Sequence, residues 1–417
     1  MKTKSHLALM IVAGSVWLGL TLIMLMLTGV PAAQAREVDH DLLASSTLIT
    51  GTQRGPTTPG LATGSGRASA APVASQGPVS ATEVLPLMVL SGPLPDIPAD
   101  YMIVEGDIQI PKAEFAALYQ SGTTSATLGQ LPTGPEGAFE SNRWPNGTVP
   151  YEFDANVTTI SRTLTQQAMS DWQAVSNVRF NQCAGNPCSG DFIHVQASNA
   201  NNSAVGRQGG LQVINLISWN SRAIIAHELG HALGLRHEQS RPNRDSFVQI
   251  NLNNVCKAGD ASCNGGFCFN GSGARIDCDF NFNIAPTALT YGTYDFDSVM
   301  HYGRADFSRN GNDTITVLPP FNAQWQNAIG QRTHLSQADQ NAMGCNYPLA
   351  AWRWVTTTPQ ATQTGDCFLP YGGFTTAFAA TPSAGTLWIE PGSYAAVGTY
   401  NKPMTLKAPN GAVVLGP

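Results

Sequence analysis

An α+β fold of two unlike halves is predicted by three features of this 417-residue sequence. Ile160, Leu164, Ala168 and Trp172 recur every fourth residue, as the buried stripe of an amphipathic helix does. Phe192 to Val195 and Leu211 to Leu216 are short apolar runs with the length of strands. From about residue 238 Gly, Asn and Asp dominate, so that half should be largely irregular. Between the strands and the irregular half lies a second helix. Asn220 or Ser221 is placed to cap it, and its apolar residues carry it to Leu233.

That second helix holds the most informative stretch, His227-Glu228-Leu229-Gly230-His231-Ala232-Leu233-Gly234-Leu235-Arg236-His237. Residues four apart lie one above the other on a helix, so His227 and His231 can bind one metal ion from one face. Glu228 is rotated to the side of that face. There it can reach an activated water without competing for the metal, which suits a general base. Gly234 can end the helix in a left-handed turn that a Cβ would penalise, and the reversed chain then delivers His237 as third ligand. Three histidine ligands are the donor set of a catalytic zinc site, whose fourth tetrahedral position stays open. HExxH alone recurs in unrelated chains, but the glycine and third histidine at fixed offsets make the pattern specific.

The chain continues Glu238-Gln239-Ser240-Arg241-Pro242, and later reads Tyr294-Asp295-Phe296-Asp297-Ser298-Val299-Met300-His301-Tyr302. With these motifs it resembles the astacin family of zinc endopeptidases, within the metzincins. The resemblance extends to Arg143 through Tyr151 as an opening strand, and to Ile329-Gly330-Gln331-Arg332 with Leu335, Ser336 and Asp339 as a closing helix. It implies a metzincin-like two-lobed catalytic domain over 135–348, with a mixed sheet and two long helices above, an irregular lobe below and a cleft between. It makes Met300 the turn beneath one catalytic zinc, Tyr302 the phenol that stabilises the oxyanion, and Glu238 the partner of the processed amino terminus. Gly206 through Gln212, including Gly209, Gly210 and Gln212, resembles the substrate edge strand. A protein or peptide substrate would lie extended along residues 208 to 216. His301 is not a ligand in the family, and His194 and His334 read as structural and surface residues.

Lys2 and Lys4 precede an apolar run from Leu7 to Val30 and then Ala33-Gln34-Ala35, the three parts of an export signal over 1–35. Secretion into the extracellular space follows, with membrane attachment only if that segment is retained. Residues 36–134 read as a propeptide whose Ser-, Gly- and Pro-rich start cannot form a core and should be flexible. Tyr101 through Ile108 resembles the Gly-Asp motif of astacin propeptides, which implies that Asp107 occupies the metal in the precursor. By the family's layout an activating protease, or self-cleavage, cuts between Leu131 and Gly137. No Lys or Arg lies there.

Eight cysteines in an exported chain point to disulfides. Cys183 and Cys188 can close a short loop. Cys256, Cys263, Cys268 and Cys278 share a Gly- and Asn-rich insertion, where a second zinc would lack paired CxxC spacing. Cys345 and Cys367 remain as possible partners, although the resemblance implies that Cys345 should pair with a cysteine early in the domain. A net charge of −6 gives no electrostatic footprint for nucleic acid. Residues 349–417 read as a linker, Thr356 to Pro359, followed by a small β-rich tail resembling one or two solenoid rungs, too few to bury a core alone. A secreted adhesion or carbohydrate-binding protein with structural zinc is the rival reading. Structural zinc is normally closed by four protein ligands, and Glu228 would then be idle. Asn-x-Ser/Thr triplets stand at Asn146, Asn156, Asn201, Asn270 and Asn312.

Overall fold

The computed structural model describes residues 9–11, 97–113 and 142–416, apart from 186, 265, 271, 272, 286 and 287. The rest of the export segment, most of the leader and the expected cut at 131–137 lie outside the described residues. Among the described residues no helix is long and apolar enough to cross a membrane.

The architecture is mixed α+β around a central seven-stranded sheet. Its strands are β1 (Tyr101–Val104), β2 (Ile108–Pro111), β3 (Thr148–Phe153), β4 (Arg179–Gln182), β5 (Phe192–Ala197), β6 (Asn202–Ala204) and β7 (Leu211–Leu216). In space they run β1, β2, β6, β7, β5, β3, β4. β1 and β2 form a hairpin donated by the leader, and β2 lies parallel to β6, with Ile108 opposite Ser203 and Gln109 opposite Ala204. Met102, Val104, Ile108, Ile110 and Val205 form a small core under the hairpin.

Helix α1 (Thr159–Val175) starts at Thr158, whose side chain accepts the Ser161 amide. Its buried face is Ser161, Thr165, Ala168, Met169 and Trp172. Ile160, expected on that face, is 76% exposed. Four-residue steps overshoot a 3.6-residue turn, so the stripe drifts by about 120° between Ile160 and Trp172. Helix α2 (Arg222–Ala232) is capped by Ser221, and all its residues after Arg222 are buried. Two tryptophans fix it: Trp172 Nε1 donates to the Ala226 carbonyl at 2.9 Å and Trp144 Nε1 to the Ala232 carbonyl at 2.8 Å. The carbonyl of Leu233 accepts from Asn346 and Tyr347 at the end of helix α3 (Gln337–Asn346), which satisfies a group a helix terminus leaves open.

A second core cluster, around Val248, Phe282, Tyr302, Phe307 and Ile315, lies in the stretch expected to be irregular. Its regular structure is slight: short 3₁₀ turns, one α-helical turn at Asn322–Trp325, the antiparallel pair β8 (Val248–Ile250) and β9 (Ile315–Val317), and a hairpin with two residues in each strand. Disulfides Cys256–Cys263 and Cys268–Cys278 stitch the insertion, and Cys183–Cys188 closes its short loop.

The tail builds parallel ladders. β10 (Trp352–Val355), β11 (Thr386–Ile389) and β13 (Thr405–Lys407) form one, and β12 (Gly392–Ala395) with β14 (Val413–Gly416) forms the other. A strand at Leu9–Ile11 pairs antiparallel with β14. The expected linker is no free spacer, because β10 begins four residues after Pro348 and Thr356 donates to the Tyr371 carbonyl. Trp354 and Trp388 stack at 5.7 Å and belong to the same core as Val149 and Leu229. Cys345 pairs with Cys367, so the closing helix is tied to the tail and not to an early cysteine.

Candidate metal centre and active site

Gly234, at φ 108°, ends helix α2, and its amide donates to the His231 carbonyl while that of Leu235 donates to Gly230. The reversal brings His237 beside the two helical histidines. Ring centroids of His227, His231 and His237 lie 4.7, 4.8 and 5.4 Å apart. Each Nδ1 is committed: His227 to the Val299 carbonyl at 2.7 Å, His231 to the Leu235 carbonyl at 2.7 Å, His237 to a Glu105 carboxylate oxygen at 3.1 Å. The Nε2 atoms therefore face inward.

Nε2 of His227 and His231 lie 3.1 Å apart. With both Nδ1 positions donating, lone pairs face each other, an arrangement that a positive ion between them makes favourable. Asp107 enters from the leader hairpin, with Oδ2 3.0 Å from His227 Nε2 and Oδ1 3.1 Å from His237 Nε2. Both Glu228 oxygens are buried without hydrogen-bond partners among the described residues, and Asp107 Oδ1 has only the Nε2 atoms of His237 and His231 about it, at 3.1 and 3.5 Å. Orphaned donors and acceptors at this density mark a place built for a ligand. Three imidazoles and a carboxylate suit zinc, and these four residues group as a potential metal nest.

Burial lifts the Glu228 carboxyl well above its usual range, and the Asp107 charge adds to the lift. Burial acts against the Asp107 anion as well, yet the charge on His237 and the surrounding imidazoles hold its pKa well below normal.

Beneath the nest, the Met300 sulfur would stand 3.2 Å from a Cβ on Gly230 of helix α2. The turn that carries Met300 is fixed by Asp339, which accepts from Ser298 Oγ at 2.6 Å and the Val299 amide at 2.9 Å. His301 bonds Tyr294 and the Tyr302 carbonyl, away from the nest. Tyr302 is fully buried, its ring 4.7 Å from His237, and its hydroxyl donates to the Glu105 carbonyl. Glu238 accepts from Arg241 at 2.8 Å and from the Asp295 amide at 2.8 Å.

The expected substrate edge is corrected by the sheet order. β7, which holds Gln212, pairs with β5 on one side and β6 on the other. Gly209 and Gly210 form the turn before it, at φ 86° and 65°. Gln212 is internal support, accepting the Gln208 amide and donating to the Gly206 carbonyl. On its other side β6 pairs with β2 of the hairpin that carries Asp107. Asn201 is buried, its side-chain oxygen held by the Ile217 and Ser218 amides, which sets it apart from the other Asn-x-Ser/Thr sites.

Glu105 was not singled out by the sequence; its position beside Gly106-Asp107 was the only signal. The family model for Astacin, a family of peptidases, matches residues 137–264 and 276–348. Zinc metalloproteinase nas-14 of Caenorhabditis elegans is 35% identical over 216 residues, 50% of this chain and 38% of that protein. High choriolytic enzyme 2 of Oryzias latipes is 39% identical over 152 residues, 36% of this chain and 46% of that protein. Thus the chain spans less than half the length of these relatives. Among solved structures, high choriolytic enzyme 1 of Oryzias latipes, a hatching enzyme zinc-protease, matches at 28% identity over 52% of this chain and 96% of that one, with a TM-score of 0.38.

Proposed function

We propose that this chain, which belongs to the astacin family, is an exported zinc endopeptidase made as a latent precursor. The observation that carries the reading is the convergence of three inward-facing imidazoles beside a buried, partnerless Glu228. His227, His231 and His237 would hold the ion. When bound, zinc supplies Lewis-acid activation of a water and of the scissile carbonyl.

The chain's own residues supply the rest. Glu228 takes a proton from the attacking water and passes it to the leaving amine. Tyr302 donates its hydroxyl to the developing oxyanion once the Glu105 carbonyl has left it. An extended peptide takes the edge of β6 that β2 vacates, held by backbone bonds tolerant of many side chains.

Asp107 is the switch: placed among the three imidazoles, it blocks the position the reaction needs. Cleavage between 131 and 137, by another protease or by self-cleavage, would release it and free an amine to reach Glu238. Replacing Asp107 with Ala should give an unprocessed precursor with measurable peptidase activity. If this variant, with zinc bound, stays as silent as the parent, steric blockade by the docked leader accounts for latency better than the carboxylate.

A further inference from the structure

Glu105 precedes the metal-facing aspartate by two positions, and every polar group on it is engaged. Its amide donates to Asn281 Oδ1 at 2.7 Å, and its carbonyl accepts the Tyr302 hydroxyl. One carboxylate oxygen meets Ser240 Oγ at 2.8 Å and His237 Nδ1 at 3.1 Å; the other lies 3.6 Å from Arg236. The residue is fully buried, and its φ of 51° places it in the left-handed region, where a side chain with a Cβ is strained. Strain tolerated at a buried charge implies that its contacts outweigh it.

We propose that Glu105 is a second latch of the leader, independent of the metal, which holds the hairpin in the active site and disarms Tyr302. This rests on the reading of the leader as an inhibitory segment. The Asp107 carboxylate has its partners only among the three imidazoles that would hold the ion. Those of Glu105 are a guanidinium, a hydroxyl, an imidazole N–H on the side away from the metal and a phenol, all present whether or not zinc is bound. A carboxylate sharing several charge-assisted bonds in a buried site is the stronger kind of anchor. Its carbonyl also keeps the Tyr302 hydroxyl occupied. Removal of the metal should therefore leave the hairpin docked.

The test is hydrogen exchange of residues 101–111 in the full-length precursor, with zinc and after stripping by a chelator. In the stripped parent these amides should stay protected. Glu105→Ala should speed their exchange by about tenfold or more in the stripped protein, with Glu105→Gln intermediate. Strands β5 and β7 should exchange as in the parent, which shows that the variants fold. Unchanged protection in stripped Glu105→Ala would overturn the latch. Adding zinc should slow hairpin exchange in the parent but not in Asp107→Ala. Equal slowing in both would refute the aspartate switch and leave the Glu105 result standing.

Discussion

Two side chains at the centre differ in what their loss should do. Glu228→Gln keeps the shape but cannot accept a proton, so processed protein should bind zinc stoichiometrically by metal analysis and lose at least about a hundredfold in turnover. Tyr302→Phe removes one oxyanion donor, for which about 3 kcal/mol, or a hundredfold in kcat with KM little changed, is the expected cost. Steady-state kinetics on a quenched peptide separates them from a binding defect. At this scale the sequence was most legible where chemistry depends on local spacing. His227 and His231 are one helical turn apart with Glu228 next to the first, and Gly234 sets the route to His237. Glu105 was illegible because its side-chain partners, His237 and Ser240, lie 132 and 135 residues away. Nothing in local pattern announces so distant a contact.

At the scale of elements, α1 and α2 were readable and several short strands, β6 among them, were not. α1 and α2 declare themselves through periodicity and capping, although the fourfold repeat placed Ile160 on the wrong face. β6 is three residues, Asn-Ser-Ala, with no apolar alternation, and exists because β7 and β2 pair with it on either side. The edge was therefore assigned to its more regular neighbour. Packing of α3 against the tail makes a sharper point. A Cβ at Gly344 would fall 2.5 Å from the Trp352 ring and 3.1 Å from the Val175 carbonyl. Gly344→Ala should lower stability by about 1–3 kcal/mol through overpacking, despite the better helix propensity of alanine. A thermal unfolding scan that showed no drop would mean the tail is free to shift.

Across the whole molecule, two buried carboxylates, Glu238 and Asp339, and the half-buried Asp295 gather where α3, the Met300 turn and the segment after His237 meet. Burial lifts Asp295 to about 7, helped by the charge of Asp339, and burial lifts Asp339 to about 6 and raises Glu238 as well. A folded-state pKa above the unfolded value means that the native form holds its proton more tightly. The stabilisation is complete below about pH 4 and is lost as pH rises through about 6 and 7. The melting temperature of the precursor should fall between about pH 4 and pH 7 from this cluster, and Asp295→Asn should flatten that fall. A steeper decline in the variant would contradict the assignment.

The tail's relation to the rest could not be read from its composition, because rung-like strands look alike whether docked or loose. Cys345–Cys367 has a practical outcome for anyone handling the protein. A nick anywhere between those two residues leaves both fragments covalently joined, so a clipped preparation runs as one intact band in electrophoresis until a reducing agent is added.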